Sequence, residues 1–227
     1  VDYLPQPGGQ LSEIYPKKPI YDIPGYPTID AQVLVDNLME QAKPFEPTFT
    51  LGERIETINK LDNGSFELTT HMDTKIHAKI ICIAGGLGVF EPRKPAIENL
   101  AMYEKKGVEY MVLDPEKFRN KKIVIAGGGD SALDWTMFLA DIASELTMVH
   151  RGEMFRGAPD SVDKVKQLAV DSKIKLALNS NVTGLHGDGK LQTVTISNND
   201  GTSKEIEADY YLALFGLSPK LGPIANW

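Results

Sequence analysis

The stretch Lys122 to Leu139, KIVIAGGGDSALDWTMFL, constrains this chain more than any other. A short apolar run enters three glycines and leaves into residues whose apolar positions recur at helical spacing, with Leu133, Met137, Phe138 and Ala140 on one side. The embedded G-x-G-x-x-A, Gly127 to Ala132, predicts a strand, a tight turn and a helix. The first glycine allows the turn and the second lets the backbone approach a pyrophosphate. Ala132 permits close packing of helix on strand. The head of the helix adds unpaired N–H groups and partial positive charge, a natural seat for an anion. The bare alternative is a strand–turn–helix with no ligand.

The end of the next apolar run discriminates between nicotinamide nucleotides. A carboxylate about 20 residues beyond the glycines would bind the ribose hydroxyls of NAD, whereas cations there suit the 2′-phosphate of NADP. The sequence places His150 and Arg151 at that point and Arg156 just beyond, and arginine offers a planar fork that matches phosphate oxygens. NADP is therefore favoured over NAD; against it stands a solvated pair of surface arginines, with Glu153 close enough to neutralise them.

The remaining order reads as an α/β chain. Strands at 123–126 and 146–150 flank a helix over 131–142, and a second helix runs through APDSVDKVKQLAVDS with Val162, Val165, Leu168 and Ala169 on one face. A strand, a hairpin at Asn199-Asp200-Gly201 and a final apolar strand follow, giving a parallel sheet with a β-hairpin insertion. Upstream, residues 4–27 hold six prolines and three glycines, predicting an ordered, winding loop without regular elements. A helix follows, capped by Asp30, with Val33, Leu34, Leu38 and Met39 as its apolar face. A small meander then returns to a buried strand at AKIICIAGG that contains Cys82.

With 42% hydrophobic residues in 227, the chain can build substantial cores, while a formal charge of −7 argues against nucleic-acid binding as its main task. One cysteine excludes an intrachain disulfide or dithiol, and the four histidines lack metal-ligand spacing. No apolar run reaches membrane-spanning length. A start at Val1 rather than Met points to processing or truncation.

These motifs together resemble the flavin-dependent pyridine nucleotide reductases of thioredoxin-reductase type, and more narrowly the ferredoxin–NADP reductases that share their architecture. GGGDSALD and VHRGEMFRG are similar to the family's NADP-domain motifs. PQPGGQLSEIYPKKPIYDIPGYP is similar to its flavin-contacting loop, ICIAGGLGVFEPRKP to its flavin-domain crossover, and YYLALFGLSP to the strand leaving the NADP domain. The resemblance implies two Rossmann-like domains: a partial FAD domain over 1–106, an NADP domain over 107–216, and a return segment over 217–227. It implies FAD and NADP as cofactors, hydride transfer from NADPH to flavin, and ferredoxin or flavodoxin as acceptor, in a cytoplasmic homodimer. Another acceptor, or a non-catalytic NADP-binding module, are the rival readings.

Carried over residue by residue, the cofactor contacts are Asp2, Gly9, Gln10, Leu11, Asp22 and Gly85 for the flavin. For the nicotinamide nucleotide they are Gly127, Gly128, Gly129, Asp130, Ser131, His150, Arg151 and Arg156. Tyr15 and Tyr21 are candidates for stacking on the flavin or for the core. The hinges between domains are expected near Lys106-Gly107 and Gly216-Leu217. The basic run KFRNKK, 117–122, is either a docking patch for an acidic partner or an ordinary solvated edge. Two departures stand out. The redox Cys-x-x-Cys of the thioredoxin reductases is replaced by Tyr110-Met111-Val112-Leu113, and Gly152 takes the place of a second arginine after the histidine. The resemblance further implies that about a third of the family's length, including its first glycine-rich turn, lies outside this sequence.

Overall fold

The computed structural model describes residues 1–86, 91–218 and 222–227. Parts of two sequence motifs, residues 87–90 of the crossover and 219–221 of the return segment, lie outside the described residues. The chain divides into two compact units, 1–91 with 218–227, and 92–217.

In the first unit a short helix α1 (Gln10–Ile14) starts from Gly9, whose φ of 55° few other residues adopt without strain. The expectation of a wholly irregular loop is corrected here: the glycine turn nucleates a helix, and β1 (Pro19–Ile20) pairs antiparallel with β2 (Ile29–Asp30). Helix α2 (Ala31–Ala42) follows. Asp30 occupies the N-cap position but makes no side-chain cap bond. Its buried residues are Ala31, Leu34 and Val35, while Val33 and Leu38 are exposed, so the inward face is rotated from the expected one. The meander β3 (Ile55–Lys60), β4 (Phe66–Thr70) and β5 (Lys75–Ala78) forms as expected, in sequence order. Its first turn is fixed by Asn63, whose side-chain Oδ1 accepts from both the backbone N–H and the hydroxyl of Ser65.

The run after β5 departs from expectation. Ile80 and Ile83 are 79% and 64% exposed, Cys82 is exposed, and residues 79–85 carry no strand. A strand needs a neighbouring ladder to satisfy its N–H and C=O groups, and no described residue supplies one here.

The second unit opens with Pro92, the last residue of the two-residue β6 (Glu91–Pro92). Residues 92–106, expected in the flavin domain, belong here instead, because Ile97, Leu100 and Tyr103, the last two from α3 (Leu100–Tyr103), are buried in this unit's core. Strands β7 (Val108–Glu109), β8 (Lys122–Gly127), β9 (Glu145–Val149), β10 (Lys175–Ala177) and β14 (Tyr210–Leu214) build a parallel sheet of order β10-β9-β8-β14-β7. Helices α4 (Asp130–Leu139) and α5 (Pro159–Val170) connect β8 to β9 and β9 to β10. Strands β11 (Ser180–His186), β12 (Thr193–Asn198) and β13 (Ser203–Glu207) make the antiparallel insertion. The single strand expected after the second helix is divided into β10 and β11 at Asn179, in left-handed conformation at φ 51°. The chain leaves the unit through β15 (Leu217–Ser218).

Because strand side chains alternate, the sheet's two faces build two cores. Ile123, Ile125, Leu146, Met148, Leu212 and Leu214 pack with Leu133, Leu139 and Val165 of the helices. Val124, Ala126, Val149, Tyr211 and Ala213 pack with Val182, Leu185, Val194 and Ile196 of the insertion. A sheet covered on both faces explains why KIVIAG, ELTMV and YYLAL read as nearly continuous apolar runs.

Tyr211 has one feature at odds with this packing: its hydroxyl is fully buried and has no hydrogen-bond partner among the described residues. Burial pushes its phenol well above the ordinary tyrosine range, with Tyr110 adding to the shift. Removing an unpaired buried hydroxyl relieves its desolvation cost of about 1–3 kcal/mol. Tyr211→Phe is therefore expected to leave the urea midpoint unchanged or raise it, and a loss of more than about 1 kcal/mol would show that the hydroxyl has a partner.

Candidate functional site

The site lies where β8 gives way to α4, beside the carboxyl ends of the parallel strands. The three glycines have distinct jobs. A Cβ on Gly127 would come within 2.7 Å of both the Ala132 Cβ and the Leu214 carbonyl oxygen, so this residue allows β8, α4 and β14 to approach. A Cβ on Gly128 would overlap the His150 ring. A Cβ on Gly129 would meet nothing within 4 Å, so the backbone at the helix head faces open space. None of the three has positive φ. The motif thus serves close approach rather than a special turn conformation. The second glycine of the G-x-G-x-x-A motif, Gly129, is the open one, whereas the His150 ring occupies the space over Gly128 between the two motif glycines.

Gly129 is the N-cap of α4 and its carbonyl accepts the N–H groups of Ala132 and Leu133. The first N–H groups of the helix have no intrahelical acceptor. Asp130 Oδ1 accepts the Ala158 N–H at 2.8 Å. Ser131 is exposed on the first turn.

The segment 150–158 is laid across this turn by several ties. The Arg156 N–H donates to the Gly128 carbonyl at 2.7 Å, and Ala158 binds Asp130 as above. His150 is buried, with Nδ1 2.9 Å from the Gly127 carbonyl oxygen and Nε2 3.0 Å from that of Met154, and its ring stacks on Phe155 at 4.7 Å. A neutral imidazole has one N–H and donates to one of these carbonyls, whereas the imidazolium donates to both. Both ring nitrogens of His150, expected among the nucleotide-binding residues, face backbone carbonyls. Arg151 and Arg156 are exposed, and among the described residues neither guanidinium has a hydrogen-bond or ion-pair partner. Among the described residues Glu153 forms no ion pair with either arginine; it accepts from Asn179 Nδ2 at 3.3 Å.

Sequence reasoning missed Phe155 and Gly157. A Cβ on Gly157 would lie 2.9 Å from Asp130 Oδ1 and 3.2 Å from its backbone nitrogen. The Phe-Arg-Gly triplet is the signal that could have revealed both, since an aromatic and a glycine flanking a phosphate-directed arginine imply a packed strap.

The six flavin-directed residues all belong to the first unit. Gly9, Gln10 and Leu11 form the start of α1, and Gln10 Nε2 comes within 3.8 Å of where a Gly86 Cβ would sit, next to Gly85. Gly9 itself has open space around its missing side chain. Asp2 bridges Leu51, and its Oδ1 accepts the Leu4 N–H at 3.0 Å. Asp22 sits on the exposed loop between β1 and β2. The structure therefore brings Gln10 to the Gly85–Gly86 turn, and it shows no tie from either aspartate to that pair. Tyr21 is 72% exposed and Tyr15 partly buried.

At the position of the redox dithiol, Tyr110 donates to Glu104 Oε1 at 2.6 Å while Lys94 lies 2.6 Å from the same carboxylate and 5.5 Å from the Tyr110 ring centroid. Lys94 and Tyr110 together hold the Glu104 carboxyl below its usual range. The KFRNKK patch is largely spent within the molecule. Lys117 pairs with Glu109, Arg119 with Glu116 and Lys122 with Glu207, so it resembles the solvated edge rather than the open docking patch. No group of acidic, histidine or cysteine side chains among the described residues is arranged to hold a metal ion.

A family model described as pyridine nucleotide-disulphide oxidoreductase matches residues 13–227. The chain belongs to the pyridine nucleotide-disulphide oxidoreductase family. Among its relatives, a ferredoxin–NADP reductase of Flavobacterium johnsoniae is 59% identical over 227 residues, covering 100% of this chain and 65% of that protein. Ferredoxin–NADP reductase 1 of Christiangramia forsetii is 60% identical over 229 residues, with the same coverage. The chain thus spans 65% of the length of these two curated relatives. Among solved structures, the thioredoxin reductase of Lactococcus lactis in its FR conformation superposes with a TM-score of 0.80 at 27% identity, covering 97% of this chain and 70% of that one. The resemblance to ferredoxin–NADP reductases of thioredoxin-reductase architecture and the α/β Rossmann-like fold are both borne out. A single cysteine rules out a dithiol within these 227 residues.

Proposed function

We propose that this chain is the larger part of an FAD-dependent oxidoreductase that takes reducing equivalents from NADPH and passes them to ferredoxin or flavodoxin. The observation that carries the reading is the strap of residues 150–158, which bears two unpaired arginines and is bonded by its backbone to the glycine turn. The donor set suits a 2′-phosphorylated adenosine: two guanidinium forks beside the open helix head at Gly129. Gly129 and the first N–H groups of α4 would seat the pyrophosphate, Arg151 and Arg156 would take the 2′-phosphate, and Ser131 would line the entrance. In the first unit, Gly9, Gln10, Leu11 and Gly85 would line the flavin, with open space at Gly9 as the feature that fits it. Hydride acceptance and its division into single electrons are chemistry that the bound flavin supplies.

The names of the relatives support ferredoxin as the acceptor, and the family resemblance supports flavodoxin, a homodimer and a cytoplasmic setting. No helix among the described residues is long and apolar enough to cross a membrane. The resemblance implies hinges near Lys106-Gly107 and Gly216-Leu217; the passages between the two units, at 91–92 and 217–218, favour the second place and move the first upstream. Under anaerobic mixing, NADPH is expected to bleach the visible flavin bands of the FAD-loaded protein, with ferredoxin restoring them and NADH acting far more slowly. Bleaching that only a quinone reverses would instead favour another acceptor. A protein that binds NADPH and never takes up flavin would favour the non-catalytic module.

Gly152 offers a further test. Its Cβ position has only His150 Nε2 nearby, at 3.9 Å, so nothing steric demands glycine there. Gly152→Arg, which adds a third cation to the strap, is expected to tighten 2′,5′-ADP binding by about tenfold, the worth of one charge-assisted hydrogen bond. Unchanged affinity by calorimetry would place the 2′-phosphate elsewhere.

A further inference from the structure

We propose that His150 is a positioning residue for nucleotide selectivity: its buried ring pins the arginine-bearing strap to the glycine turn without touching the ligand. The proposal rests on the reading of Arg151 and Arg156 as the 2′-phosphate site.

The argument starts from what the ring does. It spans from the last residue of β8, through the Gly127 carbonyl, to Met154 in the middle of the strap. It fills the space over Gly128 that a side chain there would need. On its face lies Phe155, the residue directly before Arg156. The backbone of His150 is equally committed, with its N–H donating to Ala177 at 2.9 Å and its carbonyl accepting from Ser180 at 3.0 Å, so the ring hangs from a fixed point on the sheet. The strap is otherwise held by the Arg156 N–H on Gly128, by Ala158 on Asp130, and by Asn179 on Gly152 and Glu153. Of these, the Asn179 bonds hold the strap next to Arg151, and the histidine ring holds Met154 and Phe155, the two residues that lead into Arg156.

Both guanidinium groups are long, exposed and unpaired, so their placement depends on the backbone that carries them. Fixing that backbone lowers the ordering cost of gripping a phosphate. Loss of the ring should therefore weaken recognition of the 2′-phosphate, leaving intact the part of the site built by Gly129 and the helix head.

Calorimetry of the 227-residue protein with 2′,5′-ADP and with ADP separates the outcomes, with amide exchange at Arg156 as a second readout. His150→Ala is expected to weaken 2′,5′-ADP by about tenfold, to change ADP by less than about twofold, and to speed exchange of the Arg156 N–H. His150→Gln, whose amide can still donate to one carbonyl, is expected to recover part of the loss. Equal weakening of both nucleotides would mean that the ring serves the shared part of the site and would overturn the proposal. So would faster Arg156 exchange with unchanged 2′,5′-ADP affinity. Should His150→Ala fail to fold, Phe155→Ala removes the stacking surface alone and carries the same expectations. A wild-type protein that does not distinguish the two nucleotides sinks the NADP reading itself; one that does, beside an unaffected variant, sinks only this proposal.

Discussion

Arg151→Ala combined with Arg156→Ala is expected to weaken 2′,5′-ADP binding by about 100-fold or more, with ADP affected by less than about threefold. Each charge-assisted hydrogen bond is worth about 1.5–3 kcal/mol, and two lost together reach that range even after allowance for solvent screening. The fold should not respond. Both side chains are exposed and unpaired, and the ties that hold the strap come from backbone groups and from His150. Calorimetry and the thermal midpoint on the same preparations read the two quantities separately. A variant that loses both nucleotides equally would show that the arginines act on the shared diphosphate.

The second large effect comes from setting two glycines against each other. In Gly127→Val the first added carbon already meets the Ala132 Cβ and the Leu214 carbonyl oxygen at 2.7 Å, and both belong to elements packed on all sides. Overpacking of such a site costs about 1–3 kcal/mol or more, and valine adds two further carbons. A clear drop in the urea midpoint is expected. In Gly129→Ala the added carbon meets no protein atom and φ, at −101°, suits alanine. Stability should change by less than about 0.5 kcal/mol, while NADP binding falls steeply because the methyl stands in the space left for the pyrophosphate. If Gly129→Ala binds NADP normally, the helix head is not the phosphate seat.

Much of the second unit was legible because its signals are local and agree with one another. The continuous apolar run in KIVIAG, the glycine turn and the helical spacing of the apolar residues after it all specify one strand–turn–helix, and long-range packing only had to accept it. The first unit was harder. The run at 79–84 has strand composition, yet a strand is a property of a pair, and the described residues hold no partner for it. The inward face of α2 was misread because Val33 and Leu38 are as apolar as Leu34 and Val35, and only the neighbours decide which are covered. The position of the unit boundary escaped for a similar reason: Ile97, Leu100 and Tyr103 declare their unit through contacts far along the chain, such as the Tyr103 hydroxyl on the Gly187 carbonyl at 3.0 Å. In the site, residue types identified the cations, but not that His150 would turn inward, since a histidine beside an arginine carries the same local signal whether it grips a ligand or a backbone. The basic run at 117–122 misled because its acidic partners Glu109 and Glu207 are supplied by β7 and by β13.

The central claim is that the strap and the helix head together read an adenosine carrying an extra phosphate. Titrating the unaltered protein with 2′,5′-ADP and with ADP at one salt concentration tests it most directly. Binding of 2′,5′-ADP at least about tenfold tighter than ADP, narrowing as salt is raised, is the predicted result. Equal affinities, or a preference for ADP, would contradict it.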